Sequence, residues 1–470
     1  LAGVRALVVF DPASLPPLAP VKLDGVAVVF TRVLGVATTV RLGLVPALRL
    51  RRVDLVQPLR DGGPHASLGR ARQRLRDLLV AGELAAAVVL LIGAGLMLRS
   101  LDALNRIDLG FDPERLLTLR VSVPEARYNT PDEVVDFYRR VTERVRALPG
   151  AEAAGLVRAL PLATTIGDWG LDVEGYVEGP GRNAKGDWQI VSDGAFEAMG
   201  TRLVRGRWIA GSDRTETQLV AVINEALARA YWSDPSRAVG GRIRVGNPRN
   251  PWLTVVGIVA DERHNGVTGR VKEKFYVPHS QWHVATGGNL VRSAFLVVRT
   301  AGDPLDLARP VRAAIGEIDP NLPVANIRPM TEVLAASLAT PRLTGFLLGV
   351  FAFLALALAA VGIYGVLSYV VERRTREIGI RMAMGAGRPQ VVGLVLAHAA
   401  TLAGFGMGAG LAGALGLTRV MQGLLYQVHP VDPLTYGLVT AALAAVALAA
   451  AGLPAWRALR VSPVIALRAE

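Results

Sequence analysis

The chain has 470 residues, 51% of them hydrophobic, a formal charge of +13 and no cysteine. Without a thiol, disulfides, cysteine nucleophiles and cysteine-ligated zinc are excluded. The charge does not mark a nucleic-acid binder, because residues 99–341 hold 30 Lys+Arg against 29 Asp+Glu and the excess sits with the apolar runs and their flanks, the distribution that membrane topology produces.

The sequence opens on Leu1, with no signal-peptide pattern behind it. PALRLRRVDLVQPLR, from Pro46, recurs without gaps as PAWRALRVSPVIALR from Pro454, with Arg49/Arg457, Arg52/Arg460, Val56/Val464 and Arg60/Arg468 among the identities. A repeat of this kind is settled before any fold is assigned. It predicts that residues 1–60 are the tail of one unit and that a complete second unit follows, so the chain reads as a fragment of a tandem protein. The last helix of the first unit is expected at about 26–48, interrupted by Arg32 and Arg41.

Residues 61–77 read as a linker and a basic interfacial helix (LGRARQRLRD, Leu68 to Asp77). A first transmembrane helix is predicted at 78–98, because crossing the bilayer takes about 20 apolar residues. Its one acid, Glu83, lies near the basic end and is read as snorkelling or pairing with Arg41.

Residues 99–341 form an extracytoplasmic α/β domain in this reading, large enough for one body or two lobes. Alternating or apolar runs predict strands at Leu116–Val123, Leu171–Val177, Leu219–Ile223, Trp252–Val259 and Ala294–Val298. Helices are predicted at Pro131–Leu148, behind a Thr130 cap, and at Leu305–Glu317. His279 and His283 have i, i+4 spacing, but Pro278 and the absence of an HExxH context argue against a metal site.

Further spans are predicted at 342–371, 389–418 and 433–456, joined by a connection at 372–388 and an external loop at 419–432, with a cytoplasmic tail at 457–470. His398 is the one ionisable group of the 389–418 span, and Gly404, Gly406, Gly408 and Gly410 form two small-xxx-small pairs expected to pack helices closely. Arginines crowd the 49–76, 373–388 and 457–468 segments, which places these inside the cell and the central domain and the 419–432 loop outside.

The 372–388 connection carries the function. ERRTREIGIRMAMGAGRPQ reads as a short helix with mixed charge, Glu372 and Glu377 against Arg373, Arg374, Arg376 and Arg381, and an apolar set at Ile378, Ile380, Met382 and Met384. Gly385 and Gly387 end it before Pro389. On charge alone, a solvated turn with snorkelling arginines weighs equally.

The string Glu377, Ile378, Gly379, Ile380, Arg381, Ala383, Gly385, Ala386 resembles the cytoplasmic signature of FtsX-like permeases, the MacB-type branch of ABC transporters. Pro454 to Arg468 resembles the C-terminus of that family, and the outer segment resembles its periplasmic domain. The duplicated ending resembles the tandem permeases common in acidobacteria. The resemblance implies a permease of the bacterial inner membrane, driven by a separate cytoplasmic ABC ATPase that docks on Glu372–Arg381 and moves the outer domain mechanically. It implies as partners the other permease half, a periplasmic adaptor and the lipid bilayer, and no nucleic acid. A regulator of an external enzyme is the alternative that stays open. No cofactor is expected on this chain. Its only lysines, Lys22, Lys185, Lys272 and Lys274, lack the Ser or Thr that follows a P-loop lysine, so ATP would be bound by the partner and this chain is not itself an enzyme.

Overall fold

The computed structural model describes residues 65–458 apart from 178, 180–182, 374–379, 381–383 and 385–387, together with helical positions between 25 and 40. Two compact units divide these residues, one spanning 102–342 and the other built on the helices before and after it.

Helix α1 (His65–Asn105) opens the described chain. The segment expected to be a separate interfacial helix therefore runs uninterrupted into the first span. No proline lies between 65 and 105 to stop it, and 41 residues make a helix about 60 Å long, twice a hydrocarbon core.

The 102–342 unit contains β1 (Leu116–Ser122), α2 (Pro131–Arg146), β2 (Ala151–Val157), β3 (Asp168–Val173), β4 (Lys185–Val191), α3 (Ala195–Met199), β5 (Leu203–Gly206), β6 (Val220–Asn224), α4 (Glu225–Tyr231), β7 (Arg242–Val245), β8 (Leu253–Val259), β9 (Lys274–Pro278), α5 (Trp282–Ala285), β10 (Ser293–Thr300), α6 (Ala308–Ile318), β11 (Val324–Pro329) and α7 (Met330–Ser337). The expected strand at Leu171–Val177 starts at Asp168 instead and stops at Val173, because Gly175 turns the chain at φ +81°.

These strands form two lobes on one sheet. In the first, the order is β11-β1-β10-β2 with every neighbouring pair antiparallel. β1 and β2 are therefore parallel to each other and joined through α2, and β10 and β11 are joined in the same way through α6. That is the split βαβ arrangement of ferredoxin-like folds. Helix α2 forms because Thr130 and Glu133 make a reciprocal capping box and Pro131 occupies the first turn. Its apolar residues recur at helical spacing, and Val134, Phe137, Tyr138, Val141 and Val145 are buried against β1, β10 and α6.

The second lobe, inserted between β2 and β10, closes on itself. β3 pairs β4 and β7, β7 pairs β8, β8 pairs β6, β6 pairs β9, and β9 returns to β4 in parallel register. Closure removes the exposed edges that an open sheet would leave. Its interior holds Ile190, Ile223, Ile243, Val255, Phe275 and Trp282. The lobes are joined within the sheet at the rung of Val157 opposite Val191, and beside it Gly155 brings β2 against α3: a Cβ there would lie 2.4 Å from the Ala195 backbone.

The other unit adds α8 (Ala339–Arg373), α9 (Arg388–Val420) and α10 (Pro433–Ala458) to α1. All four helices are long and apolar enough to span a membrane. The fifth expected span is described only as helical positions between 25 and 40, with Val26, Phe30 and Val36 exposed; its remaining residues, including Arg41, lie outside the described set.

Truncating Phe137, which is fully buried in the first lobe, is expected to cost about 3–5 kcal/mol. Denaturant unfolding of the Phe137→Ala chain, followed by tryptophan fluorescence, measures it.

Candidate functional site

The connection between α8 and α9 is the element on which the sequence reading places the docking function. Glu372 is exposed at the end of α8. Beyond it, Ile380 is helical and 41% exposed, and Met384 is 81% exposed with its N–H bonded to the Ile380 carbonyl at 3.0 Å. Ile380 and Met384 thus stand one turn apart with apolar side chains open to the surroundings. The Arg373 side chain and residues Arg374, Arg376, Glu377, Ile378, Gly379 and Arg381 lie outside the described set.

The helices flanking this connection are held by α1. Of the four spans α1 is the most enclosed, with 39% of its apolar window buried against 17–28% for the others. Glycines permit the approach. A Cβ on Gly406 would lie 2.7 Å from Leu84 Cβ, and one on Gly410 would lie 2.6 Å from Val88 Cβ. Gly404 and Gly408 face open space, so one small-xxx-small pair packs against α1 and the other points away. Helix α8 uses Gly345 against Met97 and Leu101, and Gly362 against Val80 and Glu83. Glu83 is exposed on α1 beside Gly362.

At the opposite end of α1, Arg99 forms an ion pair with Asp432, which also accepts from the Thr435 N–H at 2.8 Å and hydroxyl at 2.6 Å. The guanidinium and then the Thr435 bonds hold the Asp432 carboxyl down to about 2. The Tyr426 N–H donates to Ser100 Oγ at 2.9 Å. The 419–432 connection is thereby tied to the end of α1.

The sequence reading missed two contacts on this frame. Arg76 of α1 stacks over the Tyr369 ring of α8 at 4.4 Å, and Asp77 Oδ1 faces His398 Nε2 of α9 at 3.7 Å. A lone histidine in one apolar run and an aspartate closing a basic stretch were the signals, but only their helical phase brings them together.

The second lobe contains a buried ionic group that the sequence did not disclose. Lys274 Nζ lies 2.5 Å from Glu262 Oε1, with both side chains at most 5% exposed. His264 Nδ1 is 3.7 Å from the same oxygen, and its Nε2 is 2.9 Å from the Thr164 carbonyl. Burial works against the Glu262 charge, but the Lys274 ammonium overcomes it and brings the carboxyl to about 2. Burial, and then Lys274, lower His264 to about 4, so the ring is neutral at pH 7. Nearby, burial raises Asp187 to about 6 against the opposing pull of Lys272 at 3.2 Å.

Among the described residues, no group of His, Asp and Glu is arranged to hold a metal ion. His279 follows β9 while His283 lies within α5, so the two do not share a helix. A cleft of about 470 Å³ lies beside α2 and is lined by Arg139, Arg146, Asp193 and Arg214 among others. Its charges are largely spent on one another, Arg139 on Asp136 and Glu143, and Arg146 on Asp193.

Residues 349–463 match the family described as FtsX-like permease C-terminal, and residues 85–314 match the MacB-like periplasmic core domain. A macrolide export ATP-binding/permease protein MacB of Azoarcus sp. (strain BH72) is 25% identical over 89% of this chain and 60% of its own length. A pyoverdine export ATP-binding/permease protein PvdT of Pseudomonas syringae is 24% identical over 57% of this chain and 40% of its own. The chain thus spans no more than about three fifths of these curated relatives. Among solved structures, the periplasmic region of MacB from Actinobacillus actinomycetemcomitans is 13% identical at a TM-score of 0.32, covering 48% of this chain and 94% of that one.

Two outcomes are expected. Gly410→Leu should destabilise the bundle by about 1–3 kcal/mol or more, while Gly408→Leu, which meets nothing within 4 Å, stays close to the parent in a detergent thermal melt. In the second lobe, an unfolded chain takes up a proton at His264 below about 6.5 that the fold refuses until about 4, so this residue's stabilisation is lost as pH falls through that window. Glu262 adds a further loss between 4.5 and about 2. Asp187 acts in the opposite sense between about 6 and 3.8, so the comparison must be between parent and variant. Hydrogen exchange of the 262–278 segment should show a shallower acid-side loss of protection in His264→Gln than in the parent between pH 6.5 and 4.

Proposed function

We propose, for a chain that belongs to the FtsX-like permeases and carries a MacB-like periplasmic core domain, that it is the permease subunit of an ABC-type exporter in the bacterial inner membrane. A separate cytoplasmic ATPase supplies the energy. It docks on the connection from Glu372 to Arg381, with Arg373, Arg374, Arg376, Glu377 and Arg381 setting orientation and Ile378, Ile380 and the adjoining apolar residues giving the buried contact.

Closing of the ATPase pair displaces this connection, and α8 and α9 carry the displacement to α1. The four helices transmit force rather than enclose a pore, and the substrate is moved or extracted on the outer side. The other permease half completes the assembly, an adaptor joins it in the periplasm, and the bilayer surrounds the spans. The observation that carries this reading is the pair of exposed apolar side chains, Ile380 and Met384, on a connection whose flanking helices both pack on α1. The export names borne by the curated relatives favour this reading over a regulator of an external enzyme.

Reversing the charges at Arg374, Glu377 and Arg381 together should abolish co-purification with the cognate ATPase and the transport it drives, while the chain still inserts and melts like the parent. Unchanged association would remove the docking role.

A further inference from the structure

Arg76 and Asp77 are consecutive on α1, and successive helical residues point about 100° apart, so the two side chains address different neighbours. Arg76 lies over Tyr369, four residues before the end of α8. Asp77 faces His398, ten residues into α9. Both contacts therefore sit toward the end of the bundle from which residues 374–387 emerge. Within three residues of these contacts along their helices, Val80, Val370, Val371 and Ala399 belong to one buried apolar cluster.

The Asp77–His398 contact is incomplete. Asp77 Oδ1 and His398 Nε2 are both shut off from solvent, although each side chain is more than a quarter exposed, and among the described residues neither atom has a hydrogen-bond partner. Their separation of 3.7 Å is too long for such a bond. Buried polar atoms left open are costly, and an approach of about 1 Å would satisfy both. A shift of α9 toward α1 by that amount would close the contact.

We propose that Arg76 and Asp77 are positioning residues that latch the two legs of the docking connection to α1, Arg76 holding α8 through Tyr369 and Asp77 holding α9 through His398. Neither touches the docking partner. The latch fixes the separation of the legs, and closure of the Asp77–His398 contact is the step by which a displacement of the connection is passed to α1. The role in transmission rests on the docking function proposed above; the fixing of the legs does not.

The chain has no native cysteine, so Glu372→Cys and Gln390→Cys, both at exposed positions, give two unique spin-label sites, one on each leg. Pulsed electron paramagnetic resonance on the full chain in nanodiscs should find one narrow distance population. Arg76→Ala and Asp77→Ala should each lose it to a broad distribution. The exchange Asp77→His with His398→Asp should regain it, an outcome that general loosening of the bundle does not produce. If Asp77→Ala does not fold, Asp77→Asn keeps the volume while removing the charge, and the same loss is expected. An unchanged distribution in the Arg76→Ala/Asp77→Asn double variant, or an exchanged pair as broad as Asp77→Asn alone, overturns the latch. No ATPase is present in this measurement, so failure of the docking function, read by co-purification, leaves it unaffected.

Discussion

Everything in the membrane unit depends on how closely α8, α9 and α10 can approach α1. Lipid tails are as apolar as leucine, so helices gain no hydrophobic drive from meeting one another; association rests on contact packing and on hydrogen bonds between helices. Gly406 and Gly410 of α9 and Gly345 and Gly362 of α8 provide that packing from the partner side, and Gly95 of α1 provides it for Thr435 of α10. Each replaces a side chain with a direct meeting of surfaces. With the Arg99–Asp432 pair and the Tyr426–Ser100 bond closing one end, α1 becomes the common support of the other three helices.

Much of this was legible in the sequence because one-dimensional signals suffice for it. Apolar runs of sufficient length gave the spans, and Thr130 followed by Pro131 and Glu133 announced α2. What was not legible depended on phase or on distance along the chain. Four glycines at alternating positions looked equivalent, yet with 3.6 residues per turn Gly406 and Gly410 face α1 while Gly404 and Gly408 face away. Asp77 and His398 are separated by more than 300 residues, and neither stands in a motif. The parallel pairing of β4 with β9, which closes the second lobe, joins segments about 90 residues apart, and no local pattern specifies it.

The buried ions of the second lobe show the same limit. Lys274 sits within an otherwise apolar strand, KFYVP, and would count as exposed on composition. The fold buries it because Glu262 arrives from the connection after β8 with the opposite charge. Removing either partner alone would strand a charge in a low-dielectric interior, a far larger penalty than the net worth of the pair.

The position of the inserted lobe has a consequence for how such proteins diversify. The lobe leaves the first at Val157, the last residue of β2, and re-enters at Ser293, the first of β10, and these strands are paired with Val157 opposite Phe295. Ser293 lies two residues along β10 from Phe295, so the two junctions are a diagonal of about 8 Å apart. A module whose ends are so close can be lengthened, shortened or exchanged without stretching its host, much as a loop can. The βαβ scaffold is in this sense a socket, and the ring of strands is the part seated in it.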